Sequence, residues 1–151
     1  MYNSDVNIGF PFMKDVLYTA RPIGIVRSSL KHRKDCPKQG REGAPEASIE
    51  IDPAFADAVD GLVAGQEILV LTWLHEAGRD LLKVHPRGNP EAPLQGVFST
   101  RSPDRPNPIG LHRVVIVDIQ RPGHIRVRPL EVLDGTPILD IKPVLTGLEE
   151  R

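Results

Sequence analysis

The stretch "LHRVVIVDIQRPGHIRVRPLEVL" (residues 111–133) decides the fold. Its halves, "LHRVVIVDIQ" (111–120) and "HIRVRPLEVL" (124–133), are rich in valine and isoleucine and joined by "RPG". Branched side chains pack well on a pleated surface, and the connection is too short for anything but a turn. The segment therefore predicts a pair of adjacent strands. Downstream, "DGTP" (134–137) predicts a turn and "ILDIKPVL" (138–145) a final short strand. Upstream, "QGVFST" (95–100), "EILVLTWL" (67–74), "SIEID" (48–52) and "PIGIVRSS" (22–29) predict further strands. The run at 67–74 is continuously apolar, so it is expected to be buried, with Trp73 in a core role.

One helix is predicted, over "DPAFADAVDGLVAG" (52–65). Asp52 is placed to cap it, Pro53 suits its first position, and Gly65 can end it. Phe55, Val59, Leu62 and Val63 recur at helical spacing. Nothing repeats strand–helix–strand, which argues against a doubly wound sheet. The expected class is mostly β: a small closed β-barrel with one main helix and short extra helices. The expected division is an N-terminal extension over 1–19 and a barrel domain over 20–151.

With 151 residues, 40% of them apolar and 26% charged, the chain has the make-up of a soluble globular domain. It holds no apolar run long enough to cross a membrane as a helix, and its start does not read as a signal peptide. No membrane association is expected, and a cytoplasmic location fits the single cysteine, Cys36. The net charge of −1 argues against a general nucleic-acid binder. The charge is unevenly spread, however. Residues 21–41 are basic, with seven Lys and Arg against Asp35 alone, and residues 42–60 are acidic.

Several chemistries are absent. There is no GxGxxG, Walker loop or GxSxG. The five histidines form neither HExxH nor HxH, and with one cysteine no metal site is expected. Cys36 has no histidine at a spacing that would make it a nucleophile.

What remains is a set of polar clusters, each at the end of a predicted strand: "CPKQG" (36–40), "LHEAGR" (74–79), "STRSPDRPNPIG" (99–110), "DGTP" (134–137) and "DIKP" (140–143). Singly, most of these are ordinary turns or solvated edges. The loop at 99–110 differs, because Pro103, Pro106 and Pro108 fix their own φ and push Ser102, Arg105 and Asn107 toward extended geometry. A charged loop held in one shape is expected to be a binding site.

"GVFSTRSPDRPNPIGLHRV", "LEVLDGTPILDIKP", the opening "PIGIVRSS" and "CPKQG" together resemble the TsaA-like family, also called TrmO or YaeB, over roughly residues 20–145. The resemblance implies a small β-barrel that binds S-adenosyl-L-methionine, forms a homodimer and methylates N6 of a threonylcarbamoyl-adenosine in the anticodon loop of a tRNA. Carried onto this chain, it implies cofactor contacts at Lys38, Gln39, Gly40, His75, Glu76, Arg101, Leu111, Asp134, Gly135, Thr136 and Pro137. Two positions depart from the family's pattern. Lys38 stands for an arginine, which keeps the charge and loses the planar fork, and Glu76 stands for a glutamine.

The acceptor nitrogen of such a substrate is a poor nucleophile and gains from a nearby base. Asp140 or Asp134, with Lys142 beside them, are the candidates for catalytic roles. RNA recognition is expected from the basic loop 27–41 and from Arg105, Arg113, Arg126 and Arg128. Two alternatives stay open: a methyltransferase of the same fold acting on another substrate, and a non-enzymatic RNA- or cofactor-binding barrel.

Overall fold

The computed structural model describes residues 16–37 and 43–146. The decisive stretch forms β6 (Ile109–Arg121) and β7 (His124–Arg128), antiparallel across the turn at Pro122–Gly123. Pro129 ends β7, since it can give no ladder N–H. The other main strands are β1 (Gly24–Arg27), β2 (Ala47–Ile51), β3 (Glu67–Trp73) and β8 (Pro137–Pro143). They close into a barrel in the order β1-β2-β7-β6-β3-β8. The seam between β1 and β8 is short, with pairs Gly24–Ile138 and Ile25–Pro137 and bonds from Ile23 N–H to Ile138 O and Val26 N–H to Thr136 O.

Strand alternation fills the barrel. Ile68 and Val70 from β3, Val114 and Ile116 from β6, Ile125 and Val127 from β7, Ile49 from β2, Val26 from β1 and Ile138 from β8 all point inward and are buried. Each such side chain contributes about 1.5–3 kcal/mol on leaving water. The outward residues of β3, Leu69, Leu71 and Trp73, are half-buried on the wall. Trp73 is thus not a core residue as expected; it carries the Arg79 guanidinium 5.2 Å from its ring centre.

Two expected elements change form. The predicted helix is a 3-10 segment over Pro53–Val59, and its cap is as expected, with Asp52 Oδ1 accepting from Ala54 N–H at 2.8 Å. Phe55, Val59 and Leu62 pack against the core, while Val63 is exposed. Gly61 and Gly65, both at positive φ, break the path soon after Val59 and leave no room for an α-helix. The predicted strand at 95–100 is two residues, β5 (Gln95–Gly96), which pairs with β4 (Lys83–Val84) outside the barrel; Val97–Ser99 turns as a 3-10 segment. Among the described residues the remaining helical segments, Arg33–Asp35 and Pro86–Gly88, are single 3-10 turns.

Candidate functional site

Every neighbouring pair in the barrel is antiparallel, so the strand ends alternate. The C-terminal ends of β1, β3 and β7 therefore share a rim with the N-terminal ends of β2, β6 and β8. Three connections leave that rim: 28–46, 74–108 and 129–136. Four of the five polar clusters lie on them. The opposite rim carries the Pro53–Val59 segment and the tight β6–β7 turn.

The loop 99–108 is held by side chains as well as by prolines. Arg105 donates to the carbonyls of Ser102, Val97 and Thr100. It is therefore an internal staple, not the RNA-facing charge expected from the sequence. Arg79 donates to Pro106 O at 2.8 Å and to Asn107 Oδ1 at 3.3 Å. Asp104 accepts from Gly78 N–H at 2.7 Å and from Arg33. Arg33 in turn donates to Glu76 O at 3.3 Å. The three segments that carry the clusters are thus tied into one unit. Arg101 is exposed and has no polar partner among the described residues, and His75 and Glu76 are exposed on the same connection, 74–108.

The turn from Asp134 to Pro137 is built from the other side. Gly135 has φ +79, a backbone shape that a side chain resists, and its N–H reaches Val26 O at 2.7 Å. Thr136 is buried and donates to Leu133 O. Asp134 accepts from Ser28 N–H at 3.0 Å and pairs with Lys31 at 2.8 Å. The Lys31 hydrogen bond, then the Ser28 N–H, holds its carboxyl below the usual aspartate range. Beside it lies an open, polar cavity of about 450 Å³, lined in part by Ser28, Lys31, Arg126 and Asp134.

The other expected residues are placed less centrally. Lys38, Gln39 and Gly40 lie outside the described residues. Leu111 and Asp140 face outward on either side of Leu71, since both pair with it in the sheet. Asp140 makes its ion pair with Lys142, at 2.9 Å. These three therefore sit on the outer wall just below the rim, apart from Asp134. Arg113 is paired with Glu67, and Arg126 with Asp118 and Glu46. The Cys36 thiol is pushed above its ordinary value, by burial first and then by the charges of Asp35, Glu131 and Glu76, despite Arg33; the shift disfavours the thiolate that a nucleophile needs.

Sequence reasoning missed one constellation. At the rim end of the barrel lumen, Thr72 Oγ1 lies 2.8 Å from His112 Nε2, and His112 Nδ1 lies 2.8 Å from Glu131 Oε1. Its signal was the register: His112 shares the inward phase of Val114 and Ile116, and Thr72 that of Val70 and Ile68. Gly110 pairs with Thr72 and shares this phase too, and a Cβ there would overlap both Thr72 Oγ1 and His112 Nε2. Among the described residues no group of His, Cys, Asp and Glu could hold a metal ion, and no helix is long and apolar enough to cross a membrane.

The architecture and its loops define a class: a six-stranded antiparallel barrel whose polar, arginine-stapled connections gather at one rim. Residues 25–149 match the family described as the tRNA-methyltransferase O N-terminal domain. The chain is 50% identical over 138 residues to a probable S-adenosyl-L-methionine-binding protein of Methanothermobacter thermautotrophicus, covering 91% of this chain and 97% of that one. It is 44% identical over 122 residues to an S-adenosyl-L-methionine-binding protein of Archaeoglobus fulgidus, covering 81% and 86%. The crystal structure of TrmO from Pseudomonas aeruginosa superposes with a TM-score of 0.68 at 28% identity, over 86% of this chain and 57% of that chain. This chain thus spans rather more than half the length of that solved TrmO. It belongs to the TrmO N-terminal domain family.

Proposed function

We propose that this protein is an S-adenosyl-L-methionine-dependent tRNA methyltransferase acting on N6 of a threonylcarbamoyl-adenosine in the anticodon loop. The observation that carries the reading is the convergence of the clusters at 74–79, 99–110 and 134–137, distant in sequence, on one rim of the barrel. The groups presented there suit the cofactor. Arg101 has an uncommitted guanidinium for a carboxylate, His75 and Glu76 are exposed for ribose hydroxyls or an amine, and the turn at Gly135 and Thr136 offers close backbone approach. The family resemblance adds Lys38, Gln39 and Gly40 to this set. Leu111 gives an apolar surface just below the rim. Bound there, S-adenosyl-L-methionine supplies an electrophilic methyl group.

The residues do the rest by holding and by proton transfer. Fixing the two reactants at attack distance supplies about 7–11 kcal/mol of such a barrier. The stapled loop 99–108 provides a rigid wall for this. Asp140 takes the proton that the acceptor nitrogen loses, with the Lys142 ammonium 2.9 Å from its carboxylate. Asp134, committed to Lys31 and Ser28, holds the turn in shape and is the lesser candidate for a base.

A homodimer fits this placement. Ile109 and Leu111 are 44% and 45% exposed on the barrel wall beside Asp140, an apolar strip that a second copy would cover while completing the pocket. A tRNA substrate fits a cytoplasmic location. The test is transfer of a radiolabelled methyl group to total tRNA from cells lacking this gene, with the product nucleoside identified by mass spectrometry. Label on threonylcarbamoyl-adenosine is the expected result. Label on another nucleoside overturns the choice of substrate, and cofactor binding without transfer to any RNA overturns the activity.

A further inference from the structure

The Thr72–His112–Glu131 chain takes no part in the methyl transfer proposed above. Its order, hydroxyl to imidazole to carboxylate, is that of a nucleophile triad, but Thr72 is fully buried and faces Gly110 across the sheet. No substrate can reach its oxygen, so it is not a nucleophile. A carboxylate only accepts, so His112 Nδ1 carries a proton toward Glu131, while Nε2 meets the Thr72 hydroxyl at 2.8 Å. One oxygen of Glu131 is thereby fixed from inside the barrel. The other, Oε2, has no partner among the described residues, and the side chain is 17% exposed, on the segment that crosses the rim.

The surroundings of Glu131 say what it would meet. It raises the Cys36 thiol together with Asp35 and Glu76, so three carboxylates act on one small region of the rim. Arg33, which acts on the same thiol in the opposite sense, is committed to Asp104 and to Glu76 O. A fixed carboxylate with one open oxygen favours a cationic group. A sulfonium amino acid offers two, at sulfur and at the α-amine.

We propose that Glu131 contacts the cationic amino-acid portion of the cofactor through Oε2, and that His112 and Thr72 are positioning residues that fix its carboxylate from within the barrel. The inference rests on the cofactor reading given above. It differs in kind from the expected contacts, because the carboxylate is anchored by the core and not by a loop.

Calorimetry with S-adenosylmethionine and its thioether product S-adenosylhomocysteine tests it. Glu131→Gln is expected to weaken S-adenosylmethionine by roughly 10- to 100-fold, the scale of one charged hydrogen bond, and to weaken the neutral-sulfur product less. His112→Asn leaves the charge but loosens it, so both ligands should weaken, S-adenosylmethionine the more, by smaller factors than in Glu131→Gln. Glu131→Asp should keep the preference for the sulfonium at lower affinity, and it decides the matter if the Gln variant does not fold. Wild-type affinity for both ligands in Glu131→Gln, or in both His112→Asn and Glu131→Asp, overturns the inference alone. Failure of the unaltered protein to bind S-adenosylmethionine overturns the cofactor reading and this inference with it.

Discussion

Arg33 and Asp104 stand 71 residues apart in sequence and meet at 3.1 Å, where one guanidinium nitrogen contacts both carboxylate oxygens. The contact ties the turn after β1 to the proline-rich loop before β6, and Gly78 N–H joins from the loop after β3. The pair is largely exposed, so its worth in stability is only about 0–1 kcal/mol. Its larger effect is on shape. Asp104→Asn should therefore melt within a few degrees of the parent yet bind S-adenosylmethionine several-fold more weakly. Equal affinity by calorimetry would show that the three segments do not need each other.

Arg105 bonds three backbone carbonyls from one side chain. Lysine keeps the charge but not the planar array of donors. Arg105→Lys should lose roughly 2 kcal/mol, on the scale of one or two charged hydrogen bonds. Limited proteolysis should then cut within residues 99–106, where the parent resists.

Gly110 fits because it lacks a Cβ. Gly110→Ala must push apart Thr72 and His112 in a filled lumen, at about 1–3 kcal/mol. A fall in the urea midpoint, with an unchanged slope, is the expected readout.

Asp134 gives a pH signature. Its carboxyl sits below the ordinary value of 3.8 in the folded chain because of Lys31 and Ser28. A lowered folded pKa stabilises above the unfolded value and is lost as pH falls through the folded one. The gap in melting temperature between the parent and Asp134→Asn should be constant from pH 7 to about pH 5, then close below about pH 4. A gap that widens on acidification would contradict the lowered carboxyl.

Cys36 gives the opposite sign, because its thiol is raised above the ordinary 9.0. Iodoacetamide should label it slowly near pH 7.5, with the rate still climbing past pH 9. Glu131→Gln removes one of the charges that raise it, so labelling at fixed pH should speed up.

The barrel was legible from β-branched runs and turns because alternation in a closed sheet leaves a simple trace: "HIRVR" became β7 with Ile125 and Val127 inside. The stretch 52–65 misled, since the spacing of Phe55, Val59 and Leu62 also fits a segment that lies across a barrel end without helical winding. The clusters on the rim were visible as composition. What each charge does was not, because Arg101 and Arg105 look alike in sequence while one faces solvent and the other bonds its own loop. Glu131 escaped notice for a related reason. Its partner His112 lies 19 residues away on another strand, and only the register brings them together.

The β1–β8 seam pairs only two residues from each strand, whereas β3 and β6 pair seven. Cooperative opening follows the weakest line of contacts. Amide protons of Ile23 and Val26 should then exchange before those of β3 and β6, and the barrel should unroll there like a sleeve with a short clasp. The turn at Gly135 bonds directly to that clasp through Val26. A ligand seated against the turn would fasten it, so occupancy of the rim should register as slower exchange along β1.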